Sequence, residues 1–283
     1  MRRLTYENAR GETISFYLSP LLIESLTGIG EVAAEVQTQK SPYQDGDTYI
    51  DSIIQPRFIE LEGSITKKDP MEIKQFRSLI IRVCNPKLGL GKITLELDGD
   101  VKEIYGGLEG VPVFPERGRR PFQPFLINWK CPDPYWKEVD ETITPLSAWV
   151  GKFEFPFEFP VEFGERANRE TVINQGDDAT PVLIQFRGPA TNPSVTNETT
   201  GESIKVNRPL QEGEVLEVNT AFGNKVVEIV SADGTRTNVF HYIDLDTQFF
   251  QLVTGENVIS FASDDALVSG HVTIKYKNRY LGV

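Results

Sequence analysis

Residues 122–136 constrain the fold most, because apolar and polar side chains alternate along them. An extended strand sends successive side chains to opposite faces, so this run is predicted to form a strand with one buried face. The residues on that face are Phe125, Ile127, Trp129 and Cys131. Proline has no N–H to donate to a sheet and biases the preceding residue away from helix, so the prolines at 132 and 134 end the strand. The run is therefore predicted to close one folded unit and to lead into a hinge.

The chain before this strand is predicted to be mixed α and β. Asp69 followed by Pro70 is typical of a helix start, since the aspartate can accept from free N–H groups and proline suits the first helical position. Apolar residues then recur at helical spacing and form one stripe, at Ile73, Phe76, Ile80 and Val83. Strands are predicted on both sides, including 48–54 and 57–66. We therefore expect one helix packed on the face of a sheet.

The chain after the hinge is predicted to be almost purely β. Beyond residue 164, about nine short runs of strand-forming residues are separated by Asn, Gly, Pro and Asp, a pattern typical of a β-sandwich. Before them, residues 153–163 alternate strictly between apolar side chains and Glu or Pro. Because the prolines exclude a central strand, this stripe is predicted to be an edge strand or a strap over apolar surface. The alternative is an exposed binding site for a partner.

These patterns together predict a mainly β protein with two domains. At 283 residues, the chain is long enough for each domain to bury its own core. We expect an N-terminal β-sandwich with one packed helix over residues 1–140, a linker or strap over 141–164, and a C-terminal β-sandwich over 165–283.

Charge and cysteine content limit the classes of function. The chain carries 29 Lys and Arg against 41 Asp and Glu, so no general nucleic-acid-binding surface is predicted. The two cysteines, Cys84 and Cys131, fall in unlike elements and are predicted to be free, buried thiols in a reducing compartment, with a disulfide as the less favoured alternative. The start of the chain lacks the apolar core of a signal peptide, and no apolar run is long enough to span a membrane. We therefore expect synthesis in the cytoplasm.

No motif predicts catalysis, a metal site or a cofactor. The Gly89–Lys92 run lacks the first glycine and the Ser or Thr of a phosphate-binding loop. The Asp-Gly-Asp runs at 45–47 and 98–100 lack the further ligands of a calcium loop, so turns are the better interpretation. His241 and His271 are the only histidines, and no nucleophile or zinc motif accompanies them. A hydrolase built on two of the many carboxylates stays open, although nothing marks any two as a pair.

A basic loop lies just before the closing strand of the first domain. Arg117, Arg119 and Arg120 form a basic cluster in an otherwise acidic chain. One interpretation is a solvated loop, which is usual for such runs. The other is a contact with acidic loops of a neighbouring subunit, since the two surfaces that meet in a ring differ from each other.

An ordered set of motifs resembles a known family. The chain is similar to the distal tail proteins of long-tailed, non-contractile bacteriophages. In the second half the matching runs are 155–160 (FPFEFP), 174–177 (NQGD), 188–193 (GPATNP), 197–201 (NETTG), 249–257 (FFQLVTGEN) and 276–283 (YKNRYLGV). In the first half they are 45–47 (DGD), followed by Arg57, and 131–136 (CPDPYW).

The resemblance implies a structural virion protein without catalysis. Its first domain would assemble into a homo-hexameric ring at the distal end of the tail, and its second would be a galectin-like or carbohydrate-module-like β-sandwich that projects outward. The implied partners are the tail tube protein, the tape measure protein and the tail-associated lysin or spike, and also the receptor-binding apparatus. The protein would be assembled in the host cytoplasm and would act at the virion tail tip as a baseplate hub. The residues expected at the ring interface are Tyr43, Asp45, Gly46, Arg57, Arg117, Arg119 and Arg120.

Two other functions remain as alternatives. The first is a carbohydrate-binding module that attaches the virion to a host cell-wall glycan, for which the second domain needs an exposed aromatic surface. The second, less favoured, is a glycan hydrolase.

Overall fold

The computed structural model describes residues 2–116, 118, 121–146, 169–264 and 271–283. The chain divides into two compact units, residues 1–139 with 280–283, and residues 140–279. The mainly β, two-domain fold predicted from the sequence is confirmed. The predicted domain bounds of 1–140, 141–164 and 165–283 stay a prediction, since most of the expected linker, with the aromatic stripe at 153–163, lies outside the described residues.

The first unit is built on one curled sheet. Its strands are β1 (Arg2–Glu7), β2 (Thr13–Phe16), β3 (Leu21–Thr27), β6 (Arg57–Ile65), β7 (Gly91–Leu97), β8 (Asp100–Leu108), β9 (Gln123–Cys131) and β10 (Trp136–Glu138). They follow the order β2-β1-β7-β8-β9-β6-β3, with β10 beside β8. An isolated bridge between Tyr17 and Leu22 brings the ends of β2 and β3 together, so the sheet curls around its core.

Strand β9 confirms the alternation that constrained the fold. Phe125, Ile127, Trp129 and Cys131 are all buried on its inner face. The strand pairs along its whole length with β6 and more briefly with β8, so it lies inside the sheet. The two predicted thiols, Cys84 and Cys131, are free and buried, as expected. Burial raises the pKa of each to about 12.

The helix α1 (Pro70–Val83) forms as its sequence predicts. The Asp69 side chain accepts a hydrogen bond from the Met71 N–H at 3.1 Å and caps the first turn. Ile73, Ile80 and Val83 are buried in the core of the first unit, and Phe76 packs against it partly exposed. Among the described residues, no helix is long and apolar enough to cross a membrane.

The end of the chain belongs to the first unit, which the sequence did not reveal. Trp136 is fully buried, and its Nε1 donates to the Ile29 carbonyl at 3.0 Å. The short strand β22 (Arg279–Tyr280) pairs with β10. The Tyr280 hydroxyl donates to the Glu138 carboxylate at 2.6 Å. Tyr280 and Val283 also pack against the core of this unit. The first unit is therefore built from two separate parts of the chain.

The second unit is formed by two facing sheets. Its strands are β11 (Thr142–Leu146), β12 (Arg169–Asn174), β13 (Thr180–Arg187), β14 (Ser194–Asn197), β15 (Glu202–Lys205), β16 (Val215–Asn219), β17 (Val226–Val230), β18 (Arg236–Asn238), β19 (Gln251–Leu252), β20 (Gly255–Ala262) and β21 (His271–Tyr276). One sheet has the order β11-β21-β13-β16-β17-β18, with β19 pairing to β13, and the other has the order β12-β20-β14-β15. Their inner faces enclose a core that includes Phe186 and Phe261, whose rings meet edge to face.

Two strands of this unit differ from the sequence analysis. Residues 142–146, placed in the linker, form β11 and pair with β21. Residues 194–197, between a proline and an Asn-rich turn, form β14 and were not predicted as a strand. Short strands with few apolar residues carry a weak local signal, and their neighbours in the sheet supply the missing stabilisation.

Candidate functional site

A protruding hairpin carries most of the expected interface residues that the structure describes. Strands β4 (Ala34–Gln39) and β5 (Thr48–Ile54) form a separate two-stranded sheet. Among the described residues, neither strand pairs with any strand except the other. Every residue of β4 is exposed, and in β5 only Ile54 is partly covered.

The hairpin exposes apolar side chains on both of its faces. Val36, Tyr49 and Ile53 expose 56%, 61% and 45% of their surface. Val36 lies opposite Ser52, whereas Ile53 lies opposite Glu35, so Val36 and Ile53 are on different faces. An isolated two-stranded hairpin is marginally stable in water, and its outer edges leave N–H and C=O groups unpaired. The hairpin therefore has the properties of a segment that is completed by another surface.

The tip of the hairpin contains three of the predicted interface residues. Tyr43 is fully exposed and adopts a positive φ of 63°, an uncommon backbone conformation for a residue with a side chain. Gly46 has a φ of 74°, which glycine adopts readily, and Asp45 beside it is also exposed. The Ser41 N–H donates to the Gln44 side chain at 3.1 Å, which helps to hold the loop in shape.

Arg57, in contrast, is not at a surface. Its side chain is 1% exposed, and its guanidinium donates only to backbone carbonyl groups. The Nε–H donates to Pro134 at 2.7 Å, and Nη1 donates at 2.9 Å to both Gly28 and Glu31. Nη2 donates to the carbonyl of Leu281. Arg57 therefore joins three parts of the first unit, including the end of the chain, and its role at a ring interface stays a prediction that this burial does not support.

The turn that receives Arg57 is itself closely fitted. Gly28 has a φ of 78°, and a Cβ there would lie 1.8 Å from the Phe58 carbonyl oxygen, so only glycine fits. The Glu31 carboxylate accepts from the Gly28 N–H at 2.7 Å. This hydrogen bond is the main reason that the pKa of Glu31 is lowered, and the Arg57 charge acts in the same direction. Burial lowers the pKa of Arg57.

The other residues singled out in the sequence are the arginines of the basic loop and the two histidines. Arg117, Arg119 and Arg120 lie outside the described residues, so their role at an interface stays a prediction. His241 lies in a short 3₁₀ helix, and His271 begins β21. In the part of the chain that the structure describes, no three His, Cys, Asp or Glu side chains are grouped so as to hold a metal ion.

The sequence predicts the strand 48–54 of this hairpin but not its exposure. The available signal was that apolar residues do not keep to one face: Tyr49 and Ile50 are adjacent, as are Ile53 and Ile54. A strand packed on its own core normally alternates between apolar and polar side chains.

Two family models together match most of the chain. The model described as "Phage tail protein RIFT-related domain" matches residues 9–158, and the model described as "Siphovirus-type tail component, C-terminal domain" matches residues 175–280. The first match alone covers more than half of the chain, so the chain belongs to the siphovirus-type phage tail protein family. The resemblance to distal tail proteins is thereby confirmed.

Solved structures agree with this assignment at the level of the fold. The Dit protein of phage SPP1, described as a paradigm of hub adsorption apparatus in phages that infect Gram-positive bacteria, is 14% identical with a TM-score of 0.70, over 98% of this chain and 99% of that one. Two structures of the phage P2 baseplate in its activated conformation, with calcium and with strontium, contain chains that are each 11% identical. Their TM-scores are 0.60 and 0.61, and each match covers 100% of both chains. No curated protein matches the sequence.

Proposed function

We propose that this chain forms a ring of identical subunits at the distal end of a non-contractile phage tail. In this role it is a hub that joins the tail tube to the spike and receptor-binding apparatus at the tip. The observation that carries the proposal is the hairpin of β4 and β5, which exposes apolar side chains on two faces and unpaired strand edges. A neighbouring copy can cover such a hairpin by packing on its faces and by pairing with an edge.

The remaining parts of the proposal rest on family membership. A phage tail component implies a place in the virion tail, and we propose the tail tip, with assembly in the host cytoplasm. The tape measure protein and the tail-associated lysin or spike are proposed partners, and six is the proposed subunit number. A structural role, without catalysis, is also proposed, since the relatives with solved structures are described as hub and baseplate components.

The hairpin gives a direct test. We would purify the full chain and measure its mass by light scattering over a range of concentrations, with negative-stain images of the same samples. The expected result is a closed ring for the wild type. The triple variant Val36→Ser, Tyr49→Ser, Ile53→Ser is expected to remain folded and monomeric.

A matched control separates the hairpin from general surface hydrophobicity. Ile143 and Ile173 are exposed apolar residues of the second unit, and their replacement by serine is expected to leave the ring intact. A wild type that stays monomeric at high concentration, alone and with the tail tube and spike proteins added, would contradict the proposal. So would a triple variant that still forms rings.

A second candidate function is supported by one observation. The carbohydrate-binding alternative needs an exposed aromatic surface in the second unit, and Phe222, Phe240 and Tyr242 are all exposed there. This candidate is compatible with ring formation.

A further inference from the structure

A group of aromatic and cationic side chains, here called the ring cluster, is assembled from two segments of the second unit. Phe222 and Lys225 lie in the turn that joins β16 to β17. Phe240, Tyr242 and Phe249 lie in the segment between β18 and β19. Phe222, Phe240 and Tyr242 expose 79%, 44% and 40% of their surface, whereas Phe249 is partly buried against the core.

Lys225 holds the two segments together. Its Nζ lies 5.1 Å from the ring centroid of Phe222 and 5.1 Å from that of Phe249. A lysine ammonium at this distance is attracted to the negative face of each ring. Phe249 in turn stacks on Phe240, with centroids 5.9 Å apart and an angle of 14° between the ring planes. The contacts therefore place three phenylalanine rings and one ammonium group in a single surface patch.

Hydrogen-bonding groups lie beside Tyr242, which follows Phe240 by two residues in the same short 3₁₀ helix. The Arg208 guanidinium carbon lies 5.7 Å from the Tyr242 centroid, and the His241 ring lies 4.2 Å from that of Tyr242. Among the residues that the structure describes, Lys225 and Arg208 have no carboxylate within ion-pair distance. Their N–H donors are thus available to another molecule, next to flat apolar rings.

The size of the cluster argues against a protein as its stable occupant. At the observed exposures, Phe222, Phe240 and Tyr242 offer roughly 250–400 Å² of surface, if each ring side chain is taken as about 150–250 Å². A stable protein interface needs about 800 Å² from each partner. The exposed rings therefore fit a ligand of a few linked rings better than a folded partner.

Charge argues against a polyanion. Asp244 and Asp246 lie on the same segment as Phe240 and Phe249, on either side of the exposed Leu245. The whole chain has a formal charge of −12, which repels nucleic acid and other anionic polymers. A sugar ring combines an apolar C–H face with hydroxyl groups at its edge, and a neutral saccharide meets no such repulsion.

We propose that the ring cluster is a binding site for a neutral saccharide chain. Phe222 and Phe240 stack on sugar faces, and Lys225 and Arg208 donate hydrogen bonds to hydroxyl groups at the sugar edges. The proposal deepens the carbohydrate-binding candidate described above, and it does not depend on whether the chain forms a ring.

The test uses the full chain and defined saccharides. Labelled protein would be applied to an array of neutral oligosaccharides of glucose, galactose and N-acetylhexosamines, and the strongest binder would then be titrated by calorimetry. We expect Phe222→Ala to weaken binding about tenfold, the equivalent of ~1.4 kcal/mol. Phe240→Ala and Lys225→Ala are expected to weaken it in the same direction.

Matched controls come from one exposed and one half-buried position of the same unit. Ile173→Ala and Lys275→Ala remove an apolar and a cationic side chain outside the ring cluster, and we expect neither to change the affinity. The circular dichroism of every variant is expected to equal that of the wild type, because Phe222 and Lys225 are exposed in a turn.

Several outcomes would overturn the proposal. They are an absence of binding to every neutral oligosaccharide at millimolar concentration, binding that Phe222→Ala and Phe240→Ala leave unchanged, and binding confined to anionic saccharides or to an oligothymidine probe. Negative-stain images of the same variants keep the two proposals apart. A variant that loses saccharide binding but still assembles into subunit rings tests only the ring cluster. A variant that binds saccharide but no longer assembles into subunit rings tests only the hairpin.

Discussion

The hairpin tip and Arg57 are separated in the chain only by strand β5, yet they occupy opposite environments. Tyr43 is fully exposed at the tip of the hairpin. Among the described residues, the hairpin strands β4 and β5 pair only with each other. Arg57 is 1% exposed and donates to carbonyl groups from three parts of the first unit. Residues 43–57 thus supply both an exposed surface and a buried side chain that holds the first unit together.

The difference shows what a polar residue near a turn can do. Asp45 and Gly46 form the turn of the hairpin, whose strands stay exposed to another molecule. Arg57 instead donates hydrogen bonds to carbonyl groups that would otherwise be buried without donors. Buried carbonyl groups without donors lower the free energy of unfolding. The comparison predicts that changes at Arg57 act on folding, whereas changes at the hairpin act on assembly.

The largest expected effect is at Arg57. Arg57→Ala leaves several buried carbonyl groups without their donor, so we expect the free energy of unfolding to fall by about 3–5 kcal/mol. Urea unfolding followed by tryptophan fluorescence measures this, since Trp129 and Trp136 are buried in the same unit. The control is Arg187→Ala at an exposed position, for which the free energy of unfolding is expected to change by no more than about 0.5 kcal/mol. A loss below about 1 kcal/mol for Arg57→Ala would contradict the structural role.

The next largest effect concerns the end of the chain. Deletion of residues 280–283 removes the Leu281 carbonyl that Arg57 binds and two apolar side chains that pack on the core. We expect the first unit to lose about 2–4 kcal/mol of stability in the same urea experiment. Tyr280→Phe, which removes the hydrogen bond to Glu138, is expected to lose only about 1 kcal/mol. Equal stability of the truncated and complete chains would show that these residues are not part of the unit.

The buried thiols predict a loss of stability at alkaline pH. Folding raises the pKa of Cys84 and Cys131 from 9.0 to about 12, because burial disfavours the thiolate. Above pH 9 the unfolded chain releases thiol protons that the folded chain keeps. The stabilisation is therefore complete below pH 9 and is lost as the pH rises towards 12, by about 1.4 kcal/mol per pH unit for each thiol. Urea unfolding at pH values from about 8 to about 11 measures this slope.

The control for this prediction is the double variant Cys84→Ala, Cys131→Ala. Its stability is lower than that of the wild type at neutral pH because the substitutions leave cavities, but its slope above pH 9 is expected to be shallower. Identical slopes for the two proteins would mean that the thiols are accessible in the folded state.

The smallest effect on stability is expected at the hairpin tip. Tyr43→Ser removes a fully exposed ring, so the free energy of unfolding should change by no more than about 0.5 kcal/mol. The same variant is expected to weaken ring formation when its mass is measured by light scattering. A loss above about 1 kcal/mol in the isolated chain would place the tip against its own unit and remove the contrast with Arg57.

Much of the fold could be predicted because its signals are local. The alternation in 125–131, the cap at Asp69 and the apolar stripe of α1 each depend only on nearby residues and on the period of the element. The strand 48–54 was predicted with the bounds that the structure gives. The family resemblance came from an ordered set of motifs, and the family models confirm it.

The candidate site could be predicted only in part. The turn at Asp45 and Gly46 is encoded locally, but its exposure depends on how the described residues pack in three dimensions, and the loss of alternation at Tyr49 and Ile50 is only a weak local sign of it. The ring cluster joins residues far apart in the chain, so its contacts exist only after folding.

The sequence by itself therefore determined the class of fold, the helix α1, the buried face of β9 and the family. The tertiary structure decided which charged and aromatic residues face solvent. Arg57 is buried because Gly28, Pro134 and Leu281, from three distant segments, present their carbonyl groups to one guanidinium. Secondary structure follows from local periodicity, whereas burial follows from which distant segments meet, and a single sequence records only the first directly.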